Sequence, residues 1–129
     1  MEDYEEYGKL TKQMSDLIHH FIEGETTAEE RQRIFAELQK HPGPFVNALF
    51  NVIGWAYEFE MEGKLFALEY KTTYTLELYK SEYELNLYSG QGDDKKQIKQ
   101  IIDRDKRKTF TKFLIMIDAI KKDSFKADG

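Results

Sequence analysis

The chain contains no cysteine, so neither a disulfide framework nor thiolate chemistry can be built from it. Proline is almost as scarce: its two residues both fall in His41-Pro42-Gly43-Pro44, which concentrates the strongest backbone break at one place. No apolar run approaches the roughly 18 residues that a membrane-spanning helix needs. The opening residues Met1-Glu-Asp-Tyr-Glu-Glu6 lack the basic start and apolar core of a secretory signal. A cytoplasmic protein is expected.

What remains is enough for a core. Hydrophobic residues make up 40% of 129 positions and aromatics 14%, which argues against disorder and suits a single domain. The net charge of −5 is unevenly spread. Residues 1–62 hold 13 acidic and 5 basic side chains, whereas residues 91–129 hold 7 and 11. An acidic front and a basic tail either prefer different partners or neutralise each other within the fold.

In the first part of the chain, Tyr4, Tyr7, Leu10, Met14, Leu17, Ile18, Phe21 and Ile22 recur at steps of three and four. That spacing places them on one helical face and predicts a helix from Asp3 to Glu23, with Gly24 ending it through a left-handed conformation. Thr27 stands three before Glu30, the signature of a capping box that opens a second helix. Ile34, Phe35 and Leu38 face inward there, and Pro42 stops it. A third helix carrying Phe45, Val46, Leu49, Phe50, Val52 and Ile53 is expected to be the most buried and to end near Gly54.

Beyond Trp55 the apolar period falls from 3.6 to 2. Tyr57, Phe59 and Met61 alternate with glutamates, Phe66, Leu68 and Tyr70 with Ala67 and Glu69, Tyr74, Leu76 and Leu78 with Thr75 and Glu77, and Tyr83, Leu85 and Leu87 with Glu84 and Asn86. Four short strands follow from this, with turns at 62–64, 71–73 and 80–82, and their short connections require an antiparallel meander over 55–89. After the polar loop Ser89 to Asp94, the apolar residues from Ile98 to Ile120 step again by three and four, which predicts a helix over 94–122. The fold class is α+β: residues 1–54 helical, then the meander, then the C-terminal helix. The last residues, 121–129, are expected to fray.

No constellation of residues dictates catalysis. His19 and His20 are neighbours on a helix and point about 100° apart, so they do not share a metal ion as residues four apart do. Glu58, Glu60 and Glu62 line one strand face, with Glu69, Glu77 and Glu84 on the same sheet surface. Interleaved lysines give that face the composition of a solvated sheet with cross-strand ion pairs. Gly90-Gln-Gly92 is too short for a phosphate loop. The bases around Asp103-Arg-Asp-Lys-Arg-Lys108 are diluted by aspartates, so direct nucleic-acid binding is not expected. Tyr79 and Tyr88 lie on the parity opposite Leu76 and Leu87, so both are expected to be exposed among glutamates, a makeup common at protein-binding surfaces.

The segment Leu17 to Leu49, with its apolar pair, Gly24, Glu25-Thr-Thr-Ala-Glu-Glu-Arg31, Leu38 and His41-Pro42, resembles the N-terminal helical module of anti-sigma factors. It is similar to the zinc-free branch found in regulators of the iron-dicitrate-sensor type. In the zinc-binding branch a histidine and two cysteines hold the metal; Glu37, His41 and Pro44 stand at those places, so no metal or other cofactor is carried over. The resemblance implies a non-catalytic regulatory protein that occludes a sigma factor or another transcription component. The residues expected to meet such a partner are Glu23, Glu25, Glu29 and Glu30 on the helices and Glu58, Glu60, Tyr79 and Tyr88 on the sheet. The alternative is an acidic inhibitor or immunity protein that blocks a nuclease or nucleic-acid enzyme. No membrane partner is expected, and a homodimer is compatible with the sequence.

Overall fold

The computed structural model describes residues 2–90 and 92–128, with side chains described over 5–90 and 92–122. The chain divides into two compact units, Met1–Val52 and Ile53–Gly129.

The first unit is helical. Helix α1 spans Glu2–Glu23, α2 Ala28–Gln39 and α3 Pro42–Ile53. The apolar stripe of α1 buries Met14, Ile18, Phe21 and Ile22, as its three-and-four spacing requires. The glycine after it serves a different purpose from the one expected: Gly24 is not among the residues with positive φ. A Cβ there would stand 2.7 Å from the His20 carbonyl oxygen, so the position needs the missing side chain rather than a left-handed backbone. Thr27 caps α2, its hydroxyl accepting from the Glu30 amide at 3.1 Å. The other arm of the expected box reaches across to α1, where the Glu30 carboxylate lies 3.5 Å from His20 Nε2. Arg31 is buried, and its guanidinium donates to the Thr26 carbonyl at 2.7 Å and to the Thr26 hydroxyl at 3.1 Å. Asn47 ties α3 to α1 by donating to the Tyr7 hydroxyl at 2.7 Å.

Among the described residues the second unit is a four-stranded antiparallel sheet, a short 3-10 turn at Gly92–Asp94 and one α-helix. The strands are β1 (Ala56–Met61), β2 (Lys64–Thr75), β3 (Lys80–Ser89) and β4 (Lys96–Asp103), in that spatial order, followed by helix α4 (Lys106–Asp128). Glu62 and Gly63, both at positive φ, close the β1–β2 hairpin in two residues, the geometry that matches strand twist. One sheet face carries Tyr57, Phe59, Phe66, Leu68, Tyr70, Leu85 and Leu87; α4 packs on the β3–β4 side, bringing Phe110 to 5.7 Å from the Tyr70 ring.

Two boundaries differ from the sequence reading. Residues 55–89 hold three strands, not four, because β2 runs straight through Lys71-Thr72-Thr73 and the chain reverses at Leu76–Tyr79 instead. The fourth strand comes from 96–103, which was expected to be helical. Three β-branched isoleucines in eight residues suit a strand, and the ladder to β3 satisfies their backbone groups. The helix starts only at Lys106, after Asp105 accepts from the Lys108 amide at 3.0 Å. The backbone of the tail expected to fray is helical to Asp128, and Gly129 lies outside the described residues.

Candidate interaction surface

The alternation of β2 and β3 sends every second residue away from the helix-covered face. The register places Glu58, Ala67, Tyr88 and Gln97 in one row, and Ala56, Glu69, Asn86 and Gln100 in the next. Asn86 is the hub of this outer face. Buried at 3% exposure, it donates to Glu84 at 2.7 Å and accepts from Gln100 at 3.0 Å and Gln97 at 3.3 Å. Tyr88 donates its hydroxyl to Glu69 at 3.0 Å, and the Lys95 ammonium sits 4.8 Å over its ring. Burial and the neighbouring Glu69 raise its ionisation above the usual tyrosine value. Tyr88 is therefore half-buried and internally engaged, not the freely exposed contact the sequence suggested. Glu58 and Glu60 stand exposed on the edge strand β1, as expected of a solvated face.

Strands β2 and β3 continue past their neighbours. The β1 ladder stops at Ala56 opposite Glu69, and the β4 ladder stops at Asp103 opposite Tyr83. Beyond those points β2 and β3 pair only with each other, from Thr73↔Glu82 to Thr75↔Lys80. The result is a two-stranded arm whose tip stands roughly 15 Å beyond the sheet, at about 3.3 Å per residue. Its large apolar side chains are exposed: Tyr74 55%, Leu76 73%, Leu78 58% and Tyr79 82%. Alternation predicts Tyr74, Leu76 and Leu78 on the inner face of a strand, whereas the structure places them outside.

Tyr79 is where the expectation and the structure agree on exposure but not on cause. It sits in the turn rather than on a strand face, and its φ of +50° is a left-handed conformation in which a bulky side chain is strained. Its amide donates to the Leu76 carbonyl at 3.3 Å, and the Leu78 amide donates to Thr75 at 3.2 Å. The signal that would have located the arm is faint, because Leu-Glu-Leu-Tyr contains none of the residues that ordinarily mark a reversal.

In the helical unit, Glu23, Glu25 and Glu29 are exposed and Glu30 is half-buried. Glu23 lies 3.3 Å from His19, and Glu30 faces His20, so two of the four predicted carboxylates already have a neighbour of the opposite potential sign. The helices bear two shallow grooves, one lined by Glu29, Gln32, Arg33 and Ala36 and one by Met14, Leu17, His20 and Glu37 among others. Among the described residues no group of three His, Asp or Glu side chains is placed to hold a metal ion, and no helix is long and apolar enough to cross a membrane. Near the basic run, Asp103 pairs with Lys112 at 2.8 Å while Asp105 caps α4.

No protein-family model, curated protein or solved structure matches the chain.

Proposed function

We propose that this chain is a small non-catalytic regulatory protein that binds and occludes a protein partner, using the tip of the β2–β3 arm as its anchor. The single observation carrying this reading is Tyr79, strained at positive φ and 82% exposed, standing beside the exposed Leu76 and Leu78. Within the chain such a residue costs stability and has little packing to offset it; strain of this kind concentrates where a side chain must be presented to something else. A few anchors that enter a partner's pocket, tyrosine prominent among them, carry most of the energy of typical protein interfaces. The exposed Glu23, Glu25 and Glu29, together with Glu58 and Glu60, would then steer the approach of a basic partner. A sigma factor or another transcription component remains the partner class that the resemblance over 17–49 brings with it, in the cytoplasm.

The exposure of Glu58 and Glu60 on edge strand β1 supports a second reading, an acidic inhibitor that sets carboxylates where a nuclease holds phosphates. One experiment separates them. Purified protein is titrated into a sigma factor and, separately, a basic nuclease from the same genome, as wild type, as Leu76→Asp/Leu78→Asp and as Glu58→Gln/Glu60→Gln. Loss of sigma binding only in the tip variant supports the first reading. Nuclease inhibition lost only in the glutamate variant supports the second, and wild-type protein that binds neither overturns both.

A further inference from the structure

We infer that two copies of this chain pair through the free edge of β2 in the arm, forming a symmetric dimer whose twofold axis passes between the two Thr73 residues. Four stretches of the sheet present open edges; the overhang of β3 beyond β4, Lys80-Ser81-Glu82, turns only the backbone groups of Ser81 outward, and the other three differ in charge. Edge strand β1 carries Glu58 and Glu60, and edge strand β4 carries Lys96 and Lys99, so the matching edge of a second copy meets like charge at either. The overhang of β2 beyond β1 carries one charged residue, Lys71, at its base, and the stretch Thr72-Thr73-Tyr74-Thr75 that follows carries none. It is exposed, rich in β-branched side chains and free of proline, the composition that pairs most readily with another strand.

The backbone parity fixes the register. Tyr70 directs its amide to the β1 side, where it donates to the Trp55 carbonyl at 3.1 Å, and the Leu65 carbonyl points the other way to accept from Gly90. Even-numbered residues of β2 therefore face the open edge, which leaves the N–H and C=O groups of Thr72 and Tyr74 directed outward. An antiparallel copy centred on Thr73 places Thr72 opposite Tyr74 twice, so that each pair exchanges two hydrogen bonds and all four outward groups of each copy are used. Thr73 then faces Thr73, a favourable cross-strand pair, and Lys71 lies opposite Thr75 instead of another lysine. The pairing is self-complementary, as a twofold interface requires. It also gives the arm what an isolated two-stranded ribbon lacks in water, further strands at its side.

This inference shares Leu76, at the end of the pairing, with the proposed partner site, but it uses the edge of the arm and leaves Leu78 and Tyr79, on the β3 side of the turn, open, so that a variant at Thr73 tests it apart from the tip. The interface is small, so the dimer is a concentration-dependent one. Sedimentation of the full chain from micromolar to millimolar concentration is expected to show a reversible monomer–dimer equilibrium. Thr73→Lys, which sets two introduced lysines face to face on the axis, weakens dimerisation about tenfold, and Thr73→Glu does the same. An equimolar mixture of the two variants restores a dimer. Trp55, the one tryptophan, reports independently: the register carries Leu76 of each copy toward the other's Trp55, so its emission shifts to the blue as wild-type protein associates. A wild-type chain that stays monomeric throughout overturns the inference. So does a Thr73→Lys variant that dimerises like wild type, a mixture that remains monomeric, or growth beyond the dimer into open oligomers.

Discussion

Tyr88 of β3 donates its hydroxyl to Glu69 of β2 at 3.0 Å, across the outer face of the sheet. The bond joins two strands away from the helix-covered side and holds a carboxylate that also lies 3.9 Å from Lys71. Tyr88→Phe removes the donor while leaving the ring under Lys95, and is expected to cost about 1 kcal/mol at neutral pH. Because the folded protein raises the tyrosine's ionisation above its unfolded value of 10.0, that contribution is present below pH 10 and disappears as pH rises through the raised value. Urea denaturation of both proteins at pH 7 and in strong alkali checks it: the gap between them narrows at high pH.

Asn86 poses a sharper test of the same face. Its side-chain oxygen accepts from two glutamines on β4, and its amide donates to Glu84. Asn86→Ala leaves those partners without the group they bond, and a buried polar network broken at one member costs about 1–3 kcal/mol. Denaturant titration reads the loss directly. A change below a few tenths would mean that water replaces Asn86 without penalty.

Helical parts of the fold were legible because single residues announce them. Thr27, Pro42 and the Met14 to Ile22 stripe each impose one local structure, and the glycine after α1 marked the right place for a different reason. At Gly24 the measurable consequence is steric: Gly24→Ala sets a methyl group 2.7 Å from the His20 carbonyl oxygen and is expected to destabilise by about 1–3 kcal/mol, as overpacking does. Thermal unfolding of the variant shows whether α1 gives way.

The arm was harder to see, and the cause is physical. Tyr74, Leu76 and Leu78 keep an unbroken alternation, and a period of 2 reports side-chain parity without reporting whether the backbone has turned back on itself. Ile98, Ile101 and Ile102 fit a helical face equally well; only their β-branching and the open edge of β3 decide for strand. Exposure at Tyr79 was anticipated from parity, yet the property that distinguishes it, a left-handed backbone, leaves no trace in periodicity. Glu58 and Glu60 were legible as an exposed acidic pair, whereas the engagement of Tyr88 with Glu69 depends on a register that the misplaced turn had obscured.

Asp103 offers a pH test at the junction of β4 and α4. The Lys112 ammonium bonded to it, together with the Asp105 amide, holds its carboxyl below the usual value of 3.8. A depressed carboxyl contributes stability that is present above its unfolded value and lost as pH falls through the folded one. Asp103→Asn keeps an oxygen for the Asp105 amide but loses the charge. It is expected to lower the melting temperature at pH 7 and to leave it unchanged in strong acid, where the wild-type group is protonated as well.

Tyr79→Gly separates stability from function. A left-handed backbone costs an ordinary residue roughly 1–2 kcal/mol, which glycine avoids, and the extra flexibility of the unfolded glycine chain returns part of that gain. With a side chain 82% exposed, little packing is forfeited. The variant is therefore expected to be more stable than wild type by about 0.5–1 kcal/mol in denaturant, while its affinity for the partner falls by tenfold or more, as loss of an aromatic anchor would cause. Both halves are required. A variant that loses stability would place the Tyr79 ring in contacts within its own chain, and one that gains stability but binds as before would remove the tip from the interface, leaving the strain without a use.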